Sequence, residues 1–152
     1  MNEDLRALAW LVGTWHGEAT GEPGRGGQTR RYELVLRGEF LMGTNRTTWS
    51  ATKAHPDGET HEDIAMIGYD RAAKRFVMHV FYVERFTAVF VCEHREPDVW
   101  VFTAERVQNG PAGMRAREIF TRRGDEFESR FELAMADKDF APYTRELLRR
   151  AT

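Results

Sequence analysis

The chain has a single cysteine, Cys92, among 152 residues. One thiol cannot form an internal disulfide, which excludes a disulfide-stapled scaffold and predicts a reducing compartment. No apolar run approaches the roughly 20 residues that a membrane-crossing helix needs. An excess of one charge is also missing: 22 basic and 24 acidic residues leave −2. Such a chain offers no global field for nucleic acid or for an anionic membrane. The opening Met1-Asn2-Glu3-Asp4 lacks the basic region of a signal peptide, so a cytoplasmic location is expected. There is no Gly-x-Ser-x-Gly elbow. Gly24-Arg25-Gly26-Gly27 lacks the lysine and hydroxyl of a phosphate-binding loop and reads as a flexible turn.

What is present argues for an all-β protein. The 41% hydrophobic and 12% aromatic content excludes wholesale disorder. The length suits one domain spanning residues 1–152. Leu5, Leu8, Ala9 and Val12 fall at i, i+3, i+4 and i+7, which predicts a short helix over 1–12, capped by Asn2 or Asp4 and ended by Gly13. Beyond Gly13 the helical period vanishes. Segments rich in β-branched and aromatic residues predict strands at 14–20, 29–37, 40–51, 61–69, 74–84, 86–94, 98–107, 114–122, 126–135 and 143–150. Turns such as His55-Pro56-Asp57-Gly58 and Arg123-Gly124-Asp125 separate them. Phe127, Phe131, Leu133 and Met135 alternate with Glu128, Arg130 and Glu132, the pattern of a strand with one dry and one wet face. About ten strands without helices between them predict an antiparallel up-and-down barrel, because closure removes exposed edges. The segments around Phe76–Val83 and Phe86–Cys92 are apolar on both faces and offer a face for a homodimer.

Leu11-Val12-Gly13-Thr14-Trp15-His16-Gly17-Glu18-Ala19 resembles the opening of lipocalin and fatty-acid-binding-like barrels, where a short helix leads into Gly-x-Trp on the first strand. Its longer form looks like nitrobindin and related bacterial barrels of unassigned function. Arg31-Tyr32-Glu33, Phe40-Leu41, Ile67-Gly68-Tyr69-Asp70 and Phe131-Glu132-Leu133-Ala134-Met135 are similar as well. The resemblance implies a lipocalin-like barrel in which Gly13 and Trp15 are structural, with Arg149 or Arg150 lying over the indole. It also implies haem, held in nitrobindin-like proteins by a histidine one loop after the methionine strand. Here Met135 to Arg145 contains no histidine, and Tyr143 or Arg145 takes its place. Arginine stays protonated, whereas tyrosinate can ligate iron.

A barrel of this size can hold a small molecule among its inward side chains. The expected function is therefore binding of a small, mostly apolar ligand. Phe40, Met42, Phe81, Phe131, Leu133 and Met135 are expected to supply apolar wall, with Arg46, His79 and Tyr143 as polar anchors. Arg46 with Tyr32 can hold a carboxylate, and its competing reading is a solvated strand end. His79 can be a satisfied core histidine, a haem ligand or a general base. The alternatives are thus a haem barrel acting on nitrogen oxides or peroxide, and a barrel enzyme whose pocket histidine meets an acid. Other inward polar candidates are Trp49, His61, Tyr69, Tyr82 and Trp100. The polar run His55, Asp57, Glu59, His61, Glu62 and Asp63 matches no metal-ligand spacing, and no metal is expected. Glu105, Glu118, Glu128 and Glu132 are expected to face water. The late arginines, interspersed with acids, predict cross-strand ion pairs.

Overall fold

Period-two patterning produces ten strands: β1 (Gly13–Gly21), β2 (Gly24–Val35), β3 (Phe40–Trp49), β4 (Glu59–Asp70), β5 (Arg75–Tyr82), β6 (Thr87–Cys92), β7 (Val99–Gln108), β8 (Arg115–Arg123), β9 (Glu126–Ala134) and β10 (Ala141–Arg150). A computed structural model describes residues 1–152, and in it the strands form one closed antiparallel barrel in the order β1-β10-β9-β8-β7-β6-β5-β4-β3-β2. No helix is long and apolar enough to cross a membrane.

Closure depends on the β1–β10 seam, where Gly17 pairs with Leu148. A Cβ on Gly17 would lie 1.7 Å from the Leu147 carbonyl oxygen, so only glycine lets the two backbones approach this closely. The supposed glycine-rich loop is mostly strand. Only Glu22 and Pro23 lie between β1 and β2, while Gly26 and Gly27 pair with Trp49 and Thr48. In β7 the register slips between Val89 and Phe90 of its neighbour, leaving Glu105 as a bulge. The bulge reverses parity, so Phe102 and then Val107 face inward.

The N-terminal segment is a 3-10 helix, Glu3–Leu11, not an α-helix. Three residues per turn put Leu5, Leu8 and Leu11 on one fully buried face, whereas Val12, expected inward, is 36% exposed. Asn2 caps the start by accepting from the Asp4 amide at 3.0 Å. The helix plugs one barrel end. Trp15 packs edge-on against Phe127 and Trp10 and donates Nε1–H to the Leu11 carbonyl at 2.8 Å. Arg150 lies 4.2 Å over the Trp15 ring and donates to the Val12 and Trp10 carbonyls, tying the last strand to the helix end. Arg149, the expected alternative, instead pairs with Glu126 at 2.8 Å. Gly13 has φ +129°, and a Cβ there would meet the Arg150 guanidinium at 2.7 Å.

The arginine-rich strands form the expected cross-strand pairs. Glu128 accepts from Arg145, with Arg130 and Arg123 nearby, and Glu132 accepts from Arg117. Glu128 and Glu132 are thereby buried under arginines rather than bathed in water.

Candidate functional site

The end opposite the helix is open, and a cavity of about 760 Å³ runs down from it into the barrel. The β1–β2, β3–β4, β5–β6 and β7–β8 connections form its rim through Pro23, Lys53, Phe86 and Met114 among others. Met78, Val80, Ala88, Phe90, Phe120, Phe131 and Leu133 give apolar wall. Gly43 and Ala65 pair with one another and leave room for the buried Tyr32 ring.

Polar groups concentrate in a belt across this wall. Strand register places Arg30, Asn45, Asp63 and Tyr82 side by side on β2, β3, β4 and β5. Arg30 is the hub. Its Nε donates to Glu146 at 2.8 Å, Nη1 to the Tyr32 hydroxyl at 3.1 Å, and Nη2 to Ser129 at 3.1 Å. Glu118 lies 2.9 Å from Nη2 and also accepts from the Ser129 hydroxyl at 3.0 Å. Burial pulls the Arg30 guanidinium down, but Glu146 first, then the Tyr32 hydroxyl and Glu118, more than offset this and hold it charged. Burial pushes the Glu146 carboxyl up; Arg30 pulls it back, Glu118 and Asp63 push again, and it settles at about 7. Burial likewise raises the Tyr32 phenol to about 12 and the Tyr82 phenol well above its ordinary value.

Nearer the rim, His61 bridges two acids. Its Nδ1 lies 2.6 Å from Glu84 and its Nε2 3.2 Å from Asp63, and Asp63 also accepts from Asn45 Nδ2 at 2.8 Å. Burial pulls the imidazole down, yet the hydrogen bonds to Asp63 and Glu84, and then their charges, hold it up at about 9. The ordinary value is 6.5, so the folded state binds the extra proton between these limits. The stability this supplies is complete below about pH 6.5 and is lost as pH rises through 9. We expect urea unfolding to show a loss of about 1–2 kcal/mol over that window, discounted for solvent screening at the rim. His61→Gln should flatten the dependence; the same slope in both proteins would contradict the bridge.

Several residues expected inward lie on the outer wall. On β3 the inward set is Leu41, Gly43, Asn45, Thr47 and Trp49, so Phe40, Met42 and Arg46 face out, and Arg46 sits 3.7 Å from Glu62 in solvent. On β5 the inward set is Phe76, Met78, Val80 and Tyr82, which leaves His79 exposed and Phe81 56% exposed. Met135 follows β9 and is 42% exposed. Tyr32, Phe131, Leu133 and Tyr143 do line the cavity, Tyr143 at a break in the β9–β10 register. Trp49, His61 and Tyr82 line it too, whereas Trp100 belongs to the helix-plugged end, stacked on His94. Glu118, expected in water, lines the cavity. Cys92 is buried, and burial raises its thiol to about 12.

Arg30, Asn45 and Glu146 were not among the sequence candidates, and Asp63 was named only in a polar run that matches no metal-ligand spacing. Arg30 shares parity with Tyr32 two residues on, which is the signal that would have found it. The others sit on faces whose inward sense the sequence leaves open.

The donor set does not fit haem. His79 is outside the lumen. Burial, and then Glu59, Glu84 and Glu22, push the Tyr143 phenol up, away from the tyrosinate that iron requires. Both His61 nitrogens are engaged by carboxylates, and a protonated ring has no lone pair for a metal. His55 is exposed on the rim beside Glu59.

No protein-family model and no curated protein matches the chain. Among solved structures, the crystal structure of Rv2717c from M. tuberculosis is similar over 100% of this chain and 99% of that one, with 16% identity and a TM-score of 0.76. At that identity the likeness bears on fold alone. Two other barrels match more loosely. They are a redesigned beta barrel (13% identity, TM-score 0.46, 97% and 96% covered) and EF1p2_mFAP2b bound to DFHBI (11%, 0.44, 96% and 98%).

Proposed function

We propose that the barrel binds a small, mostly apolar molecule non-covalently in its lumen. The observation that carries this reading is the cavity of about 760 Å³, open at one end. Its volume falls in the range of roughly 300–1,000 Å³ occupied by small-molecule sites. A barrel built only for stability fills its interior with side chains, as this one does at the helix-plugged end. At the open end, Gly43, Ala65, Ala88 and Ala116 keep the wall thin between larger apolar residues. A few convergent polar groups on an apolar wall is the usual composition of a ligand site. The resemblance to lipocalin and fatty-acid-binding barrels agrees with this use of the lumen.

Binding is favoured over catalysis by the state of the pocket histidine. Held charged between Asp63 and Glu84, His61 has no free nitrogen to take a proton near neutral pH. The test is native mass spectrometry of protein purified from its own host. The expected spectrum carries the mass of one apolar small molecule per chain, released on denaturation. A chain at its bare mass that also takes up no apolar probe would overturn the reading.

A further inference from the structure

Taking the lumen as the binding site, we propose that its ligand carries a positively charged nitrogen: an apolar amine or ammonium compound whose head sits in the belt at Asn45 and Asp63.

Carboxylates outnumber cations inside the barrel. Asp63, Glu84, Glu118 and Glu146, the last raised to about 7 and so partly protonated at neutral pH, line the cavity wall against Arg30 and His61, while Glu22, Glu59, Lys53 and His55 stand exposed at the rim. Each inner cation is already met by two acids: Arg30 by Glu118 and Glu146, His61 by Asp63 and Glu84. At the level of the belt a ligand carboxylate would therefore find no free cation and would face the surplus acids, since the one lysine of the lining, Lys53, stands exposed at the rim. This is the opposite of a fatty-acid site, in which an arginine is left available for the headgroup.

A second observation points the same way. The Asn45 side-chain oxygen is buried in the cavity wall without a hydrogen-bond partner. Its orientation is fixed by chemistry, because Nδ2 donates to Asp63 at 2.8 Å and a flipped amide would set oxygen against carboxylate. The belt thus holds an unused acceptor beside a carboxylate. An N–H donor of positive charge satisfies both; an alcohol meets the first and leaves the charge. Tyr82, adjacent to Asp63 in register, adds an aromatic ring at the same level, a surface that cations favour.

The experiment is isothermal titration calorimetry of the intact protein at neutral pH and low salt with three probes of one chain length: decylamine, decanol and decanoate. Decylamine should bind about tenfold more tightly than decanol, and decanoate more weakly than both. Asp63→Asn should lower decylamine affinity about tenfold and narrow its margin over decanol. Since the ranking is read on the unaltered protein, it stands even if that variant folds poorly. Decanoate binding as tightly as decylamine, or all three binding alike, would overturn the amine assignment while leaving lumen binding intact. Failure of all three would remove the lumen reading itself, and this inference with it.

Discussion

Arg30→Met should destabilise the barrel by about 3–5 kcal/mol at pH 8, because it leaves two buried carboxylates without their cation. Arg30 holds Glu146, Glu118, Ser129 and the Tyr32 hydroxyl together across β2, β8, β9 and β10. Methionine fills similar space but supplies no donor. Both acids then ionise only against burial and against each other. Glu146 already sits at about 7 with Arg30 present, so its loss raises the folded-state value further above the ordinary 4.5. A carboxyl whose folded value is raised binds an extra proton in the native state, and stability then falls as pH rises. The penalty of Arg30→Met should accordingly shrink toward pH 5, where Glu146 is protonated. Replacing the acids as well, in Arg30→Met/Glu118→Met/Glu146→Leu, should restore most of the loss, as removal of whole buried ionic clusters commonly does. Urea unfolding followed by tryptophan fluorescence reads all three. An Arg30→Met midpoint within about 1 kcal/mol of the parent at pH 8 would contradict the hub role.

The barrel was legible in the sequence, and the inside of the barrel was not. Strand existence follows from period two and turn residues, and both are local. The sense of each strand depends on what the interior contains. β3 shows why: its lumenal face carries Gly43, Asn45 and Thr47, while Phe40 and Met42 stand outside. An interior that is partly polar inverts the ordinary inference that the more apolar face is buried. β5 is apolar on both faces, so no parity argument decides between His79 and Met78. The Glu105 bulge adds a residue that alternation cannot anticipate. Tyr32 on β2 and Phe131 and Leu133 on β9 were readable, since charged residues mark the opposite face there. The belt brings together groups from β2, β3, β4, β5, β8, β9 and β10 that lie up to 116 residues apart, and only closure of the sheet juxtaposes them.

The largest functional effect should come from filling the lumen. Ala88 lies on β6 facing the cavity, paired with Val80 and Val107. An indole there occupies space that the unaltered protein leaves empty, at little cost to the wall behind it. His79 on the neighbouring strand faces outward, so His79→Trp adds the same bulk to the outside. Titration of the neutral fluorophore N-phenyl-1-naphthylamine into the parent, Ala88→Trp and His79→Trp places the binding site directly. The parent and His79→Trp should each bind one fluorophore with a blue-shifted emission, and Ala88→Trp should lose affinity by roughly a hundredfold or more, about 2.7 kcal/mol. Equal binding by all three proteins would put the site on the outer wall, and no binding by the parent would mean that the cavity holds no apolar ligand.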